Sequence, residues 1–412
     1  MKGFSVQSNI QVKKSGLLKD ITVSFKDCIC VKDLETTSSS KILKGYVPNF
    51  DATIVTKIKN EGAKIIGKTY QDEFGFGSFG LNNEAGLKNP NDESRVPGGS
   101  SAGSAIAART IKNHLAIAES TGGSIVNPAA FCGVIGICPT YGRVSRYGLI
   151  DYANSLDKIG VMADNLQLAA LGIKIISGYD EKDSTSVNIR VEEFQKFSDF
   201  KSTLGIPKEY VEGLDEEVKE LFNKKIAELK NKGIKIIDVS LPLNSKYSIP
   251  TYYVIALSES STNLSKYSGI RYGPQLSLNN HYDKYFSMVR EKFFGKESKR
   301  RIILGTFTRM AGYRSKYYIK ALKVRTLLIK EYKKVFEKVD GLIHPTMPFI
   351  PPKIVDANKL TPIQIYNMDL FTAGANLAGL PHISIPLSNM IGIMITTDHF
   401  KEKLMIDIGA KI

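Results

Sequence analysis

The sequence predicts an α/β fold. Short apolar, β-branched runs alternate along the chain with segments of helical periodicity, and glycines punctuate the boundaries. Neither an internal repeat nor a Pro/Gly/Ser-rich linker interrupts residues 1–412, which therefore read as one large domain. ITVSFKDCICV (21–31) has strand composition. DATIVTKIKNEGAKIIGK (51–68) reads as a helix closed by Gly62 and followed by a strand, with Asp51 at the N-cap. SAGSAIAARTIKNHL (101–115) reads as a helix of small residues behind a glycine loop. HLAIAES (114–120) and FCGVIGICP (131–139) read as short buried strands. LDEEVKELFNKKIAELKNKG (214–233) is an amphipathic helix with a glycine stop, and IKIIDVSL (234–241) is the strand after it. KEYKKVFEKVD (330–340) is again amphipathic and helical.

Composition removes several function classes. An apolar fraction of 42% with 24% charged residues is that of a packed domain, not a disordered chain. No apolar run approaches the roughly 20 residues of a membrane-spanning helix. MKGFSVQSNIQVKKSG lacks the apolar stretch of a signal peptide, so a cytoplasmic protein is expected. Four cysteines in 412 residues do not make a disulfide framework. Cys28-x-Cys30 is too tight for a zinc pair and lacks a partner pair, so no metal is expected. The net charge is +15, but the lysines are scattered over amphipathic faces. They read as a solvated surface before they read as a nucleic-acid footprint.

Two stretches carry chemistry: RVPGGSSAGSAIAA (95–108) and ESTGGSIVNPAA (119–130). Neither is a phosphate loop, because the Gly-Lys-Ser/Thr ending is missing, and the dinucleotide spacing G-x-G-x-x-G is absent too. Either one alone is an ordinary turn with serine caps. Together they combine hydroxyls with glycine backbone, which lets N–H groups approach a reacting atom closely. Upstream, Lys68 ends the apolar run AKIIGK. Desolvation disfavours a lysine's charged form, and a neutral lysine is a competent base for an otherwise weak serine nucleophile. Lys68 on its own is more simply a solvated lysine at a strand end.

GK at 67–68, PGGSSAGSA at 97–105, TGGSIVNPAAFCGVIG at 121–136 and PTYGRVSRYGL at 139–149 resemble the amidase signature family. The likeness runs from about residue 20 to residue 390. Further stretches are similar to one branch of that family, the glutaminase subunits of tRNA-dependent amidotransferases. These are RVSRYGLIDYANSLDKIG, SESSTNLSKYSGIRYG, FGKESKRRIILGTF, YYIKALKVRTLL and MDLFTAGANLAGLPHISIP. The resemblance implies a central mixed β-sheet covered by helices on both faces. It implies a Ser-cisSer-Lys triad, with Ser124 as nucleophile, Ser100 as the bridging serine after a cis peptide, and Lys68 as base. Gly122, Gly123 and Ser124 would form the oxyanion hole. Thr121, Tyr252, Arg301 and Asp369 would bind substrate, Asp369 taking the amino group of glutamine and Arg301 its carboxylate.

The same resemblance implies glutamine hydrolysis that supplies ammonia for converting Glu-tRNA(Gln) to Gln-tRNA(Gln), Asp-tRNA(Asn) to Asn-tRNA(Asn), or both. It implies a heterotrimer with GatB-like and GatC-like subunits, the partner holding most of the misacylated tRNA and using ATP and Mg²⁺, with no cofactor in this chain. Two positions depart from the family pattern: Ser120 stands where Asp is usual, and Cys138 where Lys is usual. The chain also starts almost at the first expected strand, without the helical segment that relatives carry there, and its C-terminal stretch is short. Two other readings stay open: a stand-alone amidase acting on a different amide, and a non-catalytic scaffold subunit. Intact Lys68, Ser100 and Ser124 speak against the scaffold.

Overall fold

The computed structural model describes residues 1–198, 201–279 and 281–412. Among them, eleven strands form one sheet. They are β1 (Phe4–Ile10), β2 (Thr22–Lys26), β3 (Lys64–Thr69), β4 (His114–Ser120), β5 (Ile135–Cys138) and β6 (Lys158–Ala163), then β7 (Thr203–Pro207), β8 (Lys235–Val239), β9 (Gly341–Pro345), β10 (His382–Pro386) and β11 (Gly392–Thr396). Their spatial order is β1-β3-β2-β4-β6-β5-β10-β11-β9-β7-β8. β2 runs parallel to β3 and β4, and β7 parallel to β8 and β9, while the other pairs are antiparallel. The sheet is therefore mixed. Every residue of β4, β5, β6, β9 and β11 is buried, as expected where both faces are covered.

The two faces carry different side chains, and the alternation of the strands sorts them. Val23, Phe25, Leu115 and Ile117 point into a large aliphatic core, which also takes up α1 (Thr53–Asn60) through Ile54, Val55 and Ile58. Ala116 and Ala118 point the other way, against Ala105 and Ala108 of α2 (Ala102–Thr110) and Val126 and Ala129 of α3 (Val126–Cys132). Small residues are needed there: a Cβ on Gly103 would lie 2.4 Å from the carbonyl oxygen of Gly3 and 2.6 Å from that of Tyr70. Further along come α4 (Leu166–Ile176), α5 (Glu216–Asn231), α6 (Pro242–Asn263), α7 (Tyr282–Phe293), α8 (Lys296–Arg309) and α9 (Lys320–Phe336). Helices α6 to α9 enclose a second, aromatic-rich core built on Tyr252, Tyr253, Tyr285, Phe294 and Leu328.

Local expectations differ from the structure at boundaries. The run 21–31 stops as a strand at Lys26, and Asp27–Val31 continue as a buried loop. Phe131 and Cys132 finish α3 rather than start a strand, because Gly133, at φ +67°, caps the helix in the left-handed conformation. Asp51 does not cap α1. Its carboxylate accepts the Lys32 N–H and pairs with Lys59, and Ala52 occupies the cap position. Among the described residues, no helix is long and apolar enough to cross a membrane.

Candidate active site

Both glycine loops lie on the α2/α3 side of the sheet and touch each other. The first leads into α2 and contains a cis peptide between Gly99 and Ser100. Ser100 is fully buried, and its carbonyl accepts the Asp72 N–H at 3.0 Å. The second connects β4 to α3 and carries Ser124, which is 7% exposed. The Ser101 N–H donates to the Ser124 carbonyl at 3.3 Å, which joins the loops. The carbonyls of Gly122 and Gly123 are also engaged, by Asn376 Nδ2 and by the Asn127 N–H. The N–H groups of Gly122, Gly123 and Ser124 donate to no protein acceptor among the described residues. Three unspent donors beside a serine hydroxyl are what an oxyanion needs.

The lysine at this site is Lys26, not Lys68. Lys26 Nζ lies 2.8 Å from Ser100 Oγ, 2.9 Å from the Glu119 carbonyl oxygen and 2.8 Å from Glu119 Oε2, and the side chain is fully buried. Three acceptors around one nitrogen match the three N–H bonds of an ammonium. Strand parity explains the correction. β2 and β3 run in parallel, with Phe25 opposite Lys68 and Lys26 opposite Thr69. Facing residues share a side of the sheet, so Lys68 projects with Phe25, away from the serines. There its Nζ donates to Thr36 Oγ1 at 2.5 Å and to the Asp27 carbonyl at 3.1 Å, with Asp27 Oδ1 at 3.3 Å. Burial does lower the Lys68 pKa, against the pull of Asp27, but no serine of either loop is its partner.

The other expected residues converge. A Cβ on Gly122 would meet Tyr252 Oη at 2.7 Å, so Tyr252 of α6 lies directly on the loop. One on Gly123 would come within 3.2 Å of Asp369 Oδ1. Asp369 Oδ2 accepts from the Tyr253 hydroxyl at 3.0 Å and from Ser78 Oγ at 3.3 Å. Burial raises the Asp369 pKa to about 6, while Tyr253 and Arg301 pull it down. Arg301 of α8 is buried inside an aromatic box, its guanidinium carbon 4.9 Å from the centre of Phe76 and 5.5 Å from those of Tyr253 and Tyr366. Its Nε donates to Glu297 and its Nη1 to the Tyr152 hydroxyl, and Nη2 has no protein partner among the described residues. Tyr152 leads back to the serines: a Cβ on Gly75 would sit 3.5 Å from the Tyr152 ring, 3.6 Å from Ser100 Oγ and 3.6 Å from Glu119 Oε2. Thr121 is buried, with its hydroxyl on Asp157 and on Glu119, whose other carboxylate oxygen meets Lys26.

Sequence reasoning missed Lys26, Glu119, Asp157, Tyr152 and Tyr253. A signal for Lys26 existed. In TVSFK the polar Ser24 and Lys26 alternate with the apolar Val23 and Phe25, which puts Lys26 on the less apolar face. Ser120 and Cys138 are buried at the ends of β4 and β5, and neither displaces a serine of the loops.

The mixed sheet and the paired serine loops with a buried lysine are the architecture of an amidase, and residues 5–406 match the Amidase family. The chain belongs to that family. It is 46% identical over 371 residues to the A subunit of glutamyl-tRNA(Gln) amidotransferase from Persephonella marina, covering 89% of this chain and 76% of the relative. It is 44% identical over 399 residues to the corresponding protein of Archaeoglobus fulgidus, covering 96% and 86%. The crystal structure of the A subunit of the Thermotoga maritima glutamyl-tRNA(Gln) amidotransferase superposes with a TM-score of 0.82 at 37% identity, covering 98% of this chain and 85% of that one.

Proposed function

We propose that this chain is the glutamine-hydrolysing subunit of a tRNA-dependent amidotransferase, with Ser124, Ser100 and Lys26 as its catalytic residues. The buried contact of Lys26 Nζ with Ser100 Oγ, beside the loop that holds Ser124, carries the reading. Ser124 attacks the side-chain amide carbon of glutamine. Its proton passes to Ser100 as the proton of Ser100 passes to Lys26 in its neutral form. The N–H groups of Gly122, Gly123 and Ser124 hold the oxyanion. The proton returns through Ser100 to the leaving nitrogen, ammonia departs, and water then releases glutamate from the Ser124 ester.

Asp369 and Arg301 select glutamine. The ammonium of the substrate meets the Asp369 carboxylate, and its carboxylate meets the free edge of the Arg301 guanidinium. A stand-alone amidase for simple amides has no use for this buried pair of opposite charges. Activation of the tRNA-linked carboxylate with ATP and Mg²⁺ falls to a partner of the B type, with a C-type subunit completing the assembly. Partnership is supported by the relatives, which are themselves subunits of an amidotransferase. Four free, buried cysteines suit a reducing cytoplasm.

The test is amidated tRNA measured with and without partners. The isolated chain should hydrolyse glutamine slowly and amidate no tRNA. Adding B and C subunits, ATP, Mg²⁺ and misacylated tRNA should switch transamidation on. Transamidation by this chain alone, or no response to the partners, contradicts the reading.

A further inference from the structure

Glu119 and Asp157 share one threonine hydroxyl. Thr121 Oγ1 lies 2.7 Å from Glu119 Oε1 and 2.9 Å from Asp157 Oδ1, and all three residues are buried. A hydroxyl has one proton to give. Two ionised carboxylates are acceptors only, so one of these contacts would set lone pair against lone pair between buried groups. A second proton therefore sits in the cluster, on one of the carboxyl groups.

The surroundings decide which one. Glu119 Oε2 is 2.8 Å from the Lys26 ammonium, which favours its anion. Asp157 accepts backbone N–H groups from Tyr152 and Ala153, and among the described residues no cation pairs with it. The charged groups acting on Asp157 are Glu119 and Asp151, which raise its proton affinity, and Arg146, which lowers it. On Glu119 itself, Lys26 faces it from β2, and the Cys28 and Cys138 thiols lie near. Burial and then the Glu119 charge push the Asp157 pKa well up.

We propose that Asp157 is a neutral acid in the working enzyme, donating through Oδ1 to Thr121, which donates in turn to an anionic Glu119, and that Glu119 is the positioning residue that orients Lys26 on Ser100. This rests on Lys26 being the base. It extends that assignment to three further residues. No group is consumed, because the extra proton stays within the cluster.

Two measurements on the full chain test it. The first is infrared and independent of activity. At mildly alkaline pH, where Asp72 and Asp369, each with a pKa of about 6, are ionised, the protein should show a protonated-carboxyl band that Asp157→Asn removes. A spectrum unchanged by Asp157→Asn, or a band lost in Glu119→Gln and kept in Asp157→Asn, overturns the assignment of the proton. The second is the pH profile of glutaminase kcat/KM in the assembled enzyme. Glu119→Gln removes the charge that favours the ammonium, so the acid limb should move to lower pH by roughly one to three units. Asp157→Asn, which mimics the neutral acid and still donates to Thr121, should leave that limb in place. An unmoved limb in Glu119→Gln, or a shift of the same size in Asp157→Asn, overturns the role of Glu119. If Lys26 were not the base, Lys26→Ala would retain activity, which separates that failure from this one.

Discussion

Asp369 is a carboxylate held in a place that resists its charge. Burial is the main reason its pKa rises from 3.8 to about 6, with the Tyr253 hydroxyl and Arg301 opposing the shift. An acid whose folded pKa lies above its unfolded value binds its proton more tightly in the native state. Its contribution to stability is full below the unfolded pKa and is lost as pH rises through about 6. At about pH 8 the ionised group then costs about 3 kcal/mol relative to a neutral one. Asp369→Asn should stabilise the fold at about pH 8 by about 2 kcal/mol, with the gain vanishing near pH 4. It should also raise the KM for glutamine at least about tenfold, since one charge-assisted contact to the ammonium is lost, while a simple amide is hydrolysed about as before. Thermal melts at the two pH values and paired kinetics check this. A variant that is less stable at alkaline pH and keeps its KM contradicts it. At this scale the sequence was partly legible: Tyr252 and Asp369 lie against the Ser124 loop, Arg301 lies against Tyr152 and Tyr253, and Ser100 and Ser124 occupy touching loops. Tyr253 was hidden because two adjacent tyrosines on a helix look alike until their partners are known, and only Tyr253 reaches Asp369.

Strands β2 and β3 each deliver a buried lysine, and the sheet decides which one meets the serines. Both lysines follow apolar runs, so composition does not separate them. The separation is a register fact: Phe25 pairs with Lys68 and Lys26 with Thr69. Register between strands about forty residues apart is set by tertiary packing, which a local reading does not contain. The end of α3 has a local cause instead: the helix extends through Cys132 because Gly133 supplies its left-handed cap. Strand parity separates the effects of substituting the two lysines. Lys26→Ala should lower glutaminase kcat by about 10²–10⁴-fold, as loss of a general base does. Lys26→Arg should fail as well, because a guanidinium does not give up its proton. Lys68→Ala should instead act on folding: it leaves Asp27 buried without its cation, which costs about 3–5 kcal/mol, and the enzyme that folds should keep kcat within about tenfold. Denaturant melts with active-site-normalised kinetics measure both effects. An active Lys26→Arg, or an inactive but fully stable Lys68→Ala, would restore Lys68 as the base.

The whole molecule is one mixed sheet that brings distant segments to a single site. Lys26 comes from β2, the two serines from loops beside α2 and α3, Tyr252 from α6, Arg301 from α8, and Asp369 from a turn before β10. The α/β class was legible from alternating periodicities, but the strand order was not, because it joins β5 to β10 and β7 to β9 across long stretches of chain. Only the likeness to a known family implied a mixed sheet. The scattered lysines behind the net charge of +15 form several exposed or partly exposed ion pairs, including Lys2 with Glu93 and Lys174 with Glu193, as a solvated surface would. On the proposed mechanism, this assembly cleaves glutamine through a covalent ester on Ser124. The most direct measurement is mass spectrometry of the assembled enzyme, acid-quenched during glutamine turnover and digested. A glutamyl adduct is expected on the peptide carrying Ser124, absent from Ser124→Ala along with glutaminase activity. Turnover sustained in Ser124→Ala, or an adduct on a different residue, would contradict it.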